Sequence, residues 1–338
     1  MKKITFILGL AILIVSCGTC QNKNSAENIG KVYDYAATIT QEELREALYT
    51  YASDDFEGRK TGEPGQKKAI EFIKNHYIEI GIPSPLTNGD YFQKIPASFF
   101  TNGIKESENV LAYIKGSEKP EEVIVISAHL DHIGISKSGE INNGADDDGS
   151  GTVAIMEIAE AFKLAADKGH GPKRSILFLH ITGEEIGLFG SKYYTDVDPI
   201  FPLENTVANL NIDMIGRVDR KHEKQRNYLY LIGSDKLSTE LHDISEAVNL
   251  KYFNMKFDYT YNDDNDPNRF YYRSDHYNFA KNNIPVIFYF NGTHADYHKP
   301  SDTPDKIEYD VLETRARLIF HTAWELANRN ERIKVDNK

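Results

Sequence analysis

The chain has almost no cysteine. Among its 338 residues the only two are Cys17 and Cys20, both near the start. The rest of the chain can therefore form no disulfide and offers no thiolate as nucleophile or ligand. Any metal has to be held by His, Asp and Glu. Positive charge is scarce as well: 39 Lys and Arg stand against 51 Asp and Glu, for a formal net charge of −12. A nucleic-acid partner needs a basic face for its phosphates, so that class is excluded. Long hydrophobic runs are missing too. The apolar run Ile4–Val15 is too short for a bilayer core of about 30 Å, which takes roughly 20 residues to cross. No internal repeat, heptad run or low-complexity block is present.

What the first residues do contain reads as an export signal. Lys2 and Lys3 precede the apolar run, which ends in Ile14-Val15-Ser16-Cys17. That ending resembles the lipobox of bacterial lipoproteins, which implies a signal peptide over 1–16 and a lipid anchor to the membrane through Cys17. Gly18, in place of the Asp that marks inner-membrane retention, points to the outer membrane of the cell envelope. Residues 17–34 are polar and are expected to form a tether. Residues 35–330 are expected to form one catalytic domain, with no room for a protease-associated insert before the first core strand. Oligomeric state leaves no mark in the sequence.

Helical and strand patterns then alternate. Helices are expected at 41–52, after the candidate N-cap Thr40, and at 65–81, ending at Gly81. Between them "SDDFEGRKTGEPG" reads as a loop rich in glycine and charge. "VIVISAH" (123–129) is a continuous apolar run of the kind found in buried parallel strands. A helix at 150–167 follows, then strands at 175–181, 206–216 and 228–233, a helix at 239–249, a strand at 284–290 and a last helix at 310–328. This order implies an α/β fold with a mostly parallel sheet covered on both faces. In such sheets ligands bind beyond the carboxyl ends of the strands.

Five places after strands carry ligand-type residues. In "AHLDH", His129 and Asp131 are two apart, so one can be a metal ligand and the other its orienting carboxylate; a strand-end ion pair would look the same. "GADDDGSG" places three carboxylates before a helix, either as a cap through Asp148 or Ser150, or with one of them bridging two cations. "TGEEIGLFGS" sets Glu184 and Glu185 side by side. The pair is either a solvated turn or a division of labour between metal and proton. Asp213 is a lone acid in "NLNIDMIG" and needs a metal, an arginine or backbone amides to be buried. His294 and His298 lie in "THADYHKPSDTPDKI", where either could be a surface histidine. Together they supply the roughly five ligands that two metals sharing a carboxylate require.

In this order, across about residues 40–330, these motifs resemble the co-catalytic zinc aminopeptidases related to secreted bacterial leucyl-type aminopeptidases. The wider family includes glutaminyl cyclase and glutamate carboxypeptidase. The resemblance implies a three-layer α/β/α zinc-exopeptidase fold of the phosphorylase/hydrolase-like type, with a mixed, mostly parallel sheet. It implies two Zn2+ per chain, the first on His129 and Asp213, the second on Glu185 and His298, with Asp147 bridging. Asp131 would orient His129, and Glu184 would be the general base toward a zinc-bridged hydroxide that attacks peptide substrates at their N-terminal residue. Asp146, Asp148, His132 and His294 match no ligand position, and the two histidines read as ordinary loop residues. The ligand types alone would also suit cobalt or manganese.

Two other functions fit the same fold. One is a glutaminyl-peptide cyclotransferase with a single zinc; the other is a catalytically inactive binding protein. "EEIGLFGS" is closer to the peptidase form, and the presence of every expected ligand and the base argues against inactivity. "RSDHYNF" (273–279) contains Ser, Asp and His, but three consecutive residues cannot converge as a nucleophilic triad. "NDDNDP" (262–267) lacks the spacing of an EF-hand loop and is expected to be solvated.

Overall fold

The computed structural model describes residues 32–337. The expected signal peptide, the Cys17 anchor and residues 17–31 of the tether lie outside the described residues. The folded body begins before residue 35, because Val32, Tyr35 and Ala36 are buried. It also runs past 330: Ile333 is buried, and the Asp336 carboxylate accepts the Thr239 amide at 2.8 Å.

Among the described residues ten strands form in chain order: β1 Phe92–Ile95, β2 Ser107–Ile114, β3 Lys119–His129, β4 Gly134–Ile135, β5 Ile141–Asn142, β6 Arg174–Ile181, β7 Thr206–Ile212, β8 Tyr228–Ile232, β9 Lys256–Asp258 and β10 Val286–Phe290. Eight of them make one sheet in the order β1-β2-β6-β3-β7-β10-β8-β9, and β4 with β5 makes a small hairpin. The four central strands, β6-β3-β7-β10, are mutually parallel. Antiparallel β1 and β2 extend one side of the sheet; on the other side β8 is antiparallel to β10 and parallel to β9. The mixed, mostly parallel sheet is therefore present.

The sequence reading missed β1, β2, β9 and the hairpin. β1, β9 and the hairpin are too short to carry a continuous apolar run, whereas β2 does carry one, Val110–Ile114, which the reading passed over. Every residue of β6 and β7 is buried. Alternate side chains feed two cores, as a period of two requires. Ile124, Ile126 and Phe178 enter the core beneath helices Gln41–Tyr51, Gly151–Asp167 and Tyr309–Asn328. Val123, Val125, Leu177 and Leu179 enter the other, against Tyr194 of helix Phe189–Asp196 and Phe279 of helix His276–Ala280.

Three fully buried arginines stitch loops to this frame through backbone carbonyls. Arg174 bonds the carbonyls of Leu326, Arg329 and Asn330, and Arg315 those of Tyr228, Ile215 and Arg217. Arg59 bonds the carbonyls of Tyr51, Leu130, Asn143 and Gly144. The segment around Arg59, expected as a charged loop, is a short helical turn, Asp54–Arg59, with Phe56, Gly58 and Arg59 buried.

Candidate metal centre

Parallel strands all deliver their carboxyl ends to one edge of the sheet, and the chemistry collects there. His129 ends β3, Asp213 follows β7, Glu184 and Glu185 lie just beyond β6, and His298 is in the loop after β10. Asp147 joins them from the turn before helix Gly151–Asp167. The two glutamates diverge because the chain reverses at once after β6. Gly183 takes φ +71°, open to glycine at little cost. At Gly190 a Cβ would stand 2.1 Å from the Thr182 carbonyl oxygen, so only glycine lets the next helix approach this closely.

Asp147 sits between two groups of donors. Its Oδ1 lies 3.2 Å from His129 Nε2, which is 3.6 Å from Asp213 Oδ1. Its Oδ2 lies 3.0 Å from His298 Nε2, which is 3.2 Å from Glu185 Oε2. Ligand atoms about 2.0–2.1 Å from a tetrahedral zinc are roughly 3.3 Å apart, so these four spacings fit two ions sharing one carboxylate. Asp147 Oδ2 is moreover buried, and the His298 nitrogen beside it makes no hydrogen bond of good geometry with it. A buried oxygen of this kind calls for an explanation, and a shared cation supplies one. The donor set therefore fits two metal ions.

The field inside the site is strong. Burial pushes Asp147 upward, but His129, His298 and His132 outweigh it and hold its carboxyl well below the usual range. Burial disfavours a charged His129, yet Glu184, Asp213 and Asp147 raise its pKa well above the ordinary value. Burial raises Glu184 well above a normal glutamate; His129 opposes this, while Asp213, Glu185 and Asp275 add to it. Glu184 lines the cleft, and its carboxylate makes no hydrogen bond among the described residues.

The support for His129 differs in detail from the expectation. Its Nδ1 bonds the Asp131 backbone carbonyl at 3.0 Å, and the Asp131 carboxylate is farther away, at 3.9 Å. The chain leaves the sheet after His129, and two other donors claim that carboxylate: the Thr61 hydroxyl at 2.6 Å and the Glu184 amide at 3.2 Å. A carbonyl only accepts, so Nδ1 carries a proton, and Nε2 is the nitrogen that faces the acids and could ligate a metal. Asp148 caps its helix, accepting Gly151 N and Met214 N at 3.0 Å each and His129 N at 3.2 Å. Although it lies near His129 and Asp213, these three amides occupy it.

The reading of His132 and His294 as ordinary loop residues does not hold. His132 is 1% exposed, and its Nδ1 stands 2.6 Å from Glu185 Oε1. His294 Nε2 is 3.1 Å from Asp146 Oδ2, tying the His298 loop to the Asp147 turn. Asp302, given no role above, accepts the amides of Asp146 at 3.0 Å and Asp147 at 3.2 Å and so aims the shared carboxylate. Its place in "KPSDTPDKI", four residues after His298, was the available signal. Ser274 donates to Asp213 Oδ2 at 2.6 Å, Asp275 accepts from Ser191, and His276 stacks on Phe288. The three thus point to different partners, and no triad forms. In the "NDDNDP" loop Asp263 accepts from Asn265 and the buried Asp266 accepts from Asn268 and from the Phe270 amide at 3.1 Å, while Asp264 pairs with Lys236.

The cleft is small, about 30 Å³. Beside the polar cluster its wall is Met214, Phe270, Phe288, Phe290 and Tyr297, with Arg273. A three-layer α/β/α sheet carrying groups that could bind cations at the ends of its parallel strands defines a metal-binding α/β fold. The chain belongs to peptidase family M28, whose profile matches residues 109–323. It is 31% identical over 169 residues to leupeptin-inactivating enzyme 1 of Streptomyces exfoliatus, an alignment covering 50% of this chain and 34% of that protein. The chain thus spans about a third of that relative's length. Its fold superposes on a zinc aminopeptidase from Bacillus subtilis with TM-score 0.65 and 15% identity, covering 89% of this chain and 99% of the other. It also superposes on a glutaminyl cyclase from an Acidobacteriales bacterium with TM-score 0.64 and 22% identity, covering 86% and 95%.

Proposed function

We propose that this chain is a zinc-dependent aminopeptidase that removes N-terminal residues from peptides. His129 and Asp213 would hold one ion, Glu185 and His298 the other, with Asp147 shared. The observation that carries this reading is the Asp147 carboxylate, with each oxygen 3.0–3.2 Å from a different histidine. When bound, the ions supply Lewis acidity at the scissile carbonyl. Glu184 lines the cleft and its carboxylate makes no hydrogen bond among the described residues, which supports a role in which it would take a proton from the attacking water and return it to the leaving amine. Asp131 supports both sides, since its carbonyl fixes the His129 tautomer and its carboxylate holds the Glu184 amide. Phe270, Phe288 and Phe290 line the cleft beside the polar cluster and would offer an apolar surface to a terminal side chain.

Digestion of a peptide library by the zinc-replete protein, read by mass spectrometry, tests this. Ladders shortened from the N-terminus are expected; shortening from the C-terminus would overturn the claim. Because a glutaminyl cyclase shares the fold, an N-terminal glutamine peptide provides the second arm. Ammonia release without cleavage, together with one zinc per chain, would favour the cyclase. The lipid anchor at Cys17, with placement on the outer membrane, belongs to the same proposal and is tested by palmitate labelling of wild type against Cys17→Ser.

A further inference from the structure

His132 stands within bonding reach of the proposed second ion site without belonging to its ligand set. The contacts within the two ligand groups span 3.0–3.6 Å, whereas His132 Nδ1 to Glu185 Oε1 is 2.6 Å. Two atoms bound to one zinc would sit roughly 3.3 Å apart, so 2.6 Å marks a hydrogen bond between them. Glu185 as a carboxylate only accepts, so Nδ1–H donates. One glutamate oxygen is thereby occupied, and the other, Oε2, faces His298 at 3.2 Å.

The imidazole is fixed by more than this bond. A Cβ on Gly144 would lie 2.6 Å from its Cγ and Cδ2, so the ring rests directly on that backbone. The His132 amide donates to the Arg59 carbonyl at 3.2 Å, and the residue bridges to Lys60. Its Nε2 is buried with no partner. A buried imidazole nitrogen left unsatisfied is unfavourable, and a purely structural side chain at this place would avoid it.

We infer that His132 is a positioning residue for the second metal: it holds Glu185 so that one carboxylate oxygen alone meets the ion. The inference rests on the metal assignment proposed above. Bonds of this kind to ligands typically contribute 10–100-fold in metal affinity.

The test is zinc binding by the metal-stripped full chain, followed by chelator competition, with His298→Ala marking the step that belongs to the Glu185 side. His132→Phe keeps a ring against Gly144 but loses the donor. It should weaken that step by about 10–100-fold and leave the other step unchanged. His132→Asn places an amide donor near the same point and should restore most of the loss. No change in His132→Phe, or equal weakening of both steps, overturns the inference. Complete loss of the second step in both variants would make His132 a ligand and also overturn it. If His132→Phe does not fold, a His132→Asn protein with wild-type zinc binding and a His132→Ala protein with a weakened second step carry the same decision. A wild-type chain that binds two zinc ions yet cleaves no peptide defeats the peptidase reading alone.

Discussion

Replacing Arg59 by methionine tests whether a residue far from substrate holds the site together. Methionine keeps most of the aliphatic stem and removes the five donors. Four carbonyls lose a partner, but not equally. The Leu130 carbonyl keeps the Tyr51 hydroxyl at 2.7 Å, and the Gly144 carbonyl keeps the Gly149 amide at 3.1 Å. The carbonyls of Tyr51 and Asn143, bonded by Arg59 at 3.2 and 2.6 Å, have no other donor among the described residues. Each buried acceptor left bare costs about 1–3 kcal/mol, so the gross loss is about 2–6 kcal/mol. No carboxylate pairs with Arg59 among the described residues, so removing an uncompensated buried charge offsets part of this. The expected net destabilisation is about 3 kcal/mol, a sizeable share of the roughly 5–15 kcal/mol of a typical domain. Urea unfolding followed by circular dichroism measures it directly. The affected carbonyls lie beside His132 and the Asp146–Asp148 turn, so zinc affinity should fall in the same variant. A loss under about 1 kcal/mol with unchanged zinc binding would refute the reasoning, because it would mean the two bare carbonyls had found new partners.

Other outcomes follow from single groups. Glu184→Gln should bind zinc as wild type does and lose turnover by about 100-fold or more, read as kcat beside a metal count; loss of zinc with retained turnover would exchange the roles of the two glutamates. Glu157 is buried in helix Gly151–Asp167, and burial, then Glu43 and Glu160, push its pKa up to about 8. The folded state therefore holds this proton more tightly than the unfolded one, so its contribution is present at acid pH and is lost as pH rises through 8. Urea midpoints of wild type and Glu157→Gln should diverge between pH 5 and 9, with the variant gaining relative stability, by up to a few kcal/mol; parallel curves would contradict this. Gly190→Ala drives a methyl into the Thr182 carbonyl and should lower Tm by several degrees or prevent folding. An alanine variant with wild-type Tm would show that the helix can shift without cost.

The proposed ligand positions were legible because two independent constraints meet there. Only a few residue types bind a metal, and a parallel sheet confines a site to the ends of its strands. His129, Glu185 and Asp213 satisfy both, each following a recognisable apolar run. The parallel centre of the fold was legible for the same reason, since strands buried on both faces cannot hide their composition. β1 could not be found this way, because its four residues include Gln93 and Lys94 and read like a loop. The apolar run Val110–Ile114 of β2 carried the signal, but the polar start of that strand, Ser107–Asn109, hid its beginning.

The residues that escaped are those whose meaning lies in a partner distant in sequence. Asp302 meets the amides of Asp146 and Asp147 from more than 150 residues away, and Arg59 reaches Asn143 across more than 80. Read along the chain, a charged residue beside glycine and proline has the composition of a solvated loop. Burial of that charge becomes visible only when its partners converge on it. His132 shows why the distinction bears on function. Three residues after His129 it looked redundant, yet the fold sets its donor on Glu185 and its ring on Gly144. Motifs identify what touches the metal, because coordination chemistry restricts residue type. The groups that aim those ligands are restricted only by geometry. Arginine, threonine, aspartate and histidine all serve here, through Arg59, Thr61, Asp302 and His132. Metal selectivity and affinity depend on those aiming contacts as much as on the ligands, so relatives with the same five ligands need not bind metal alike.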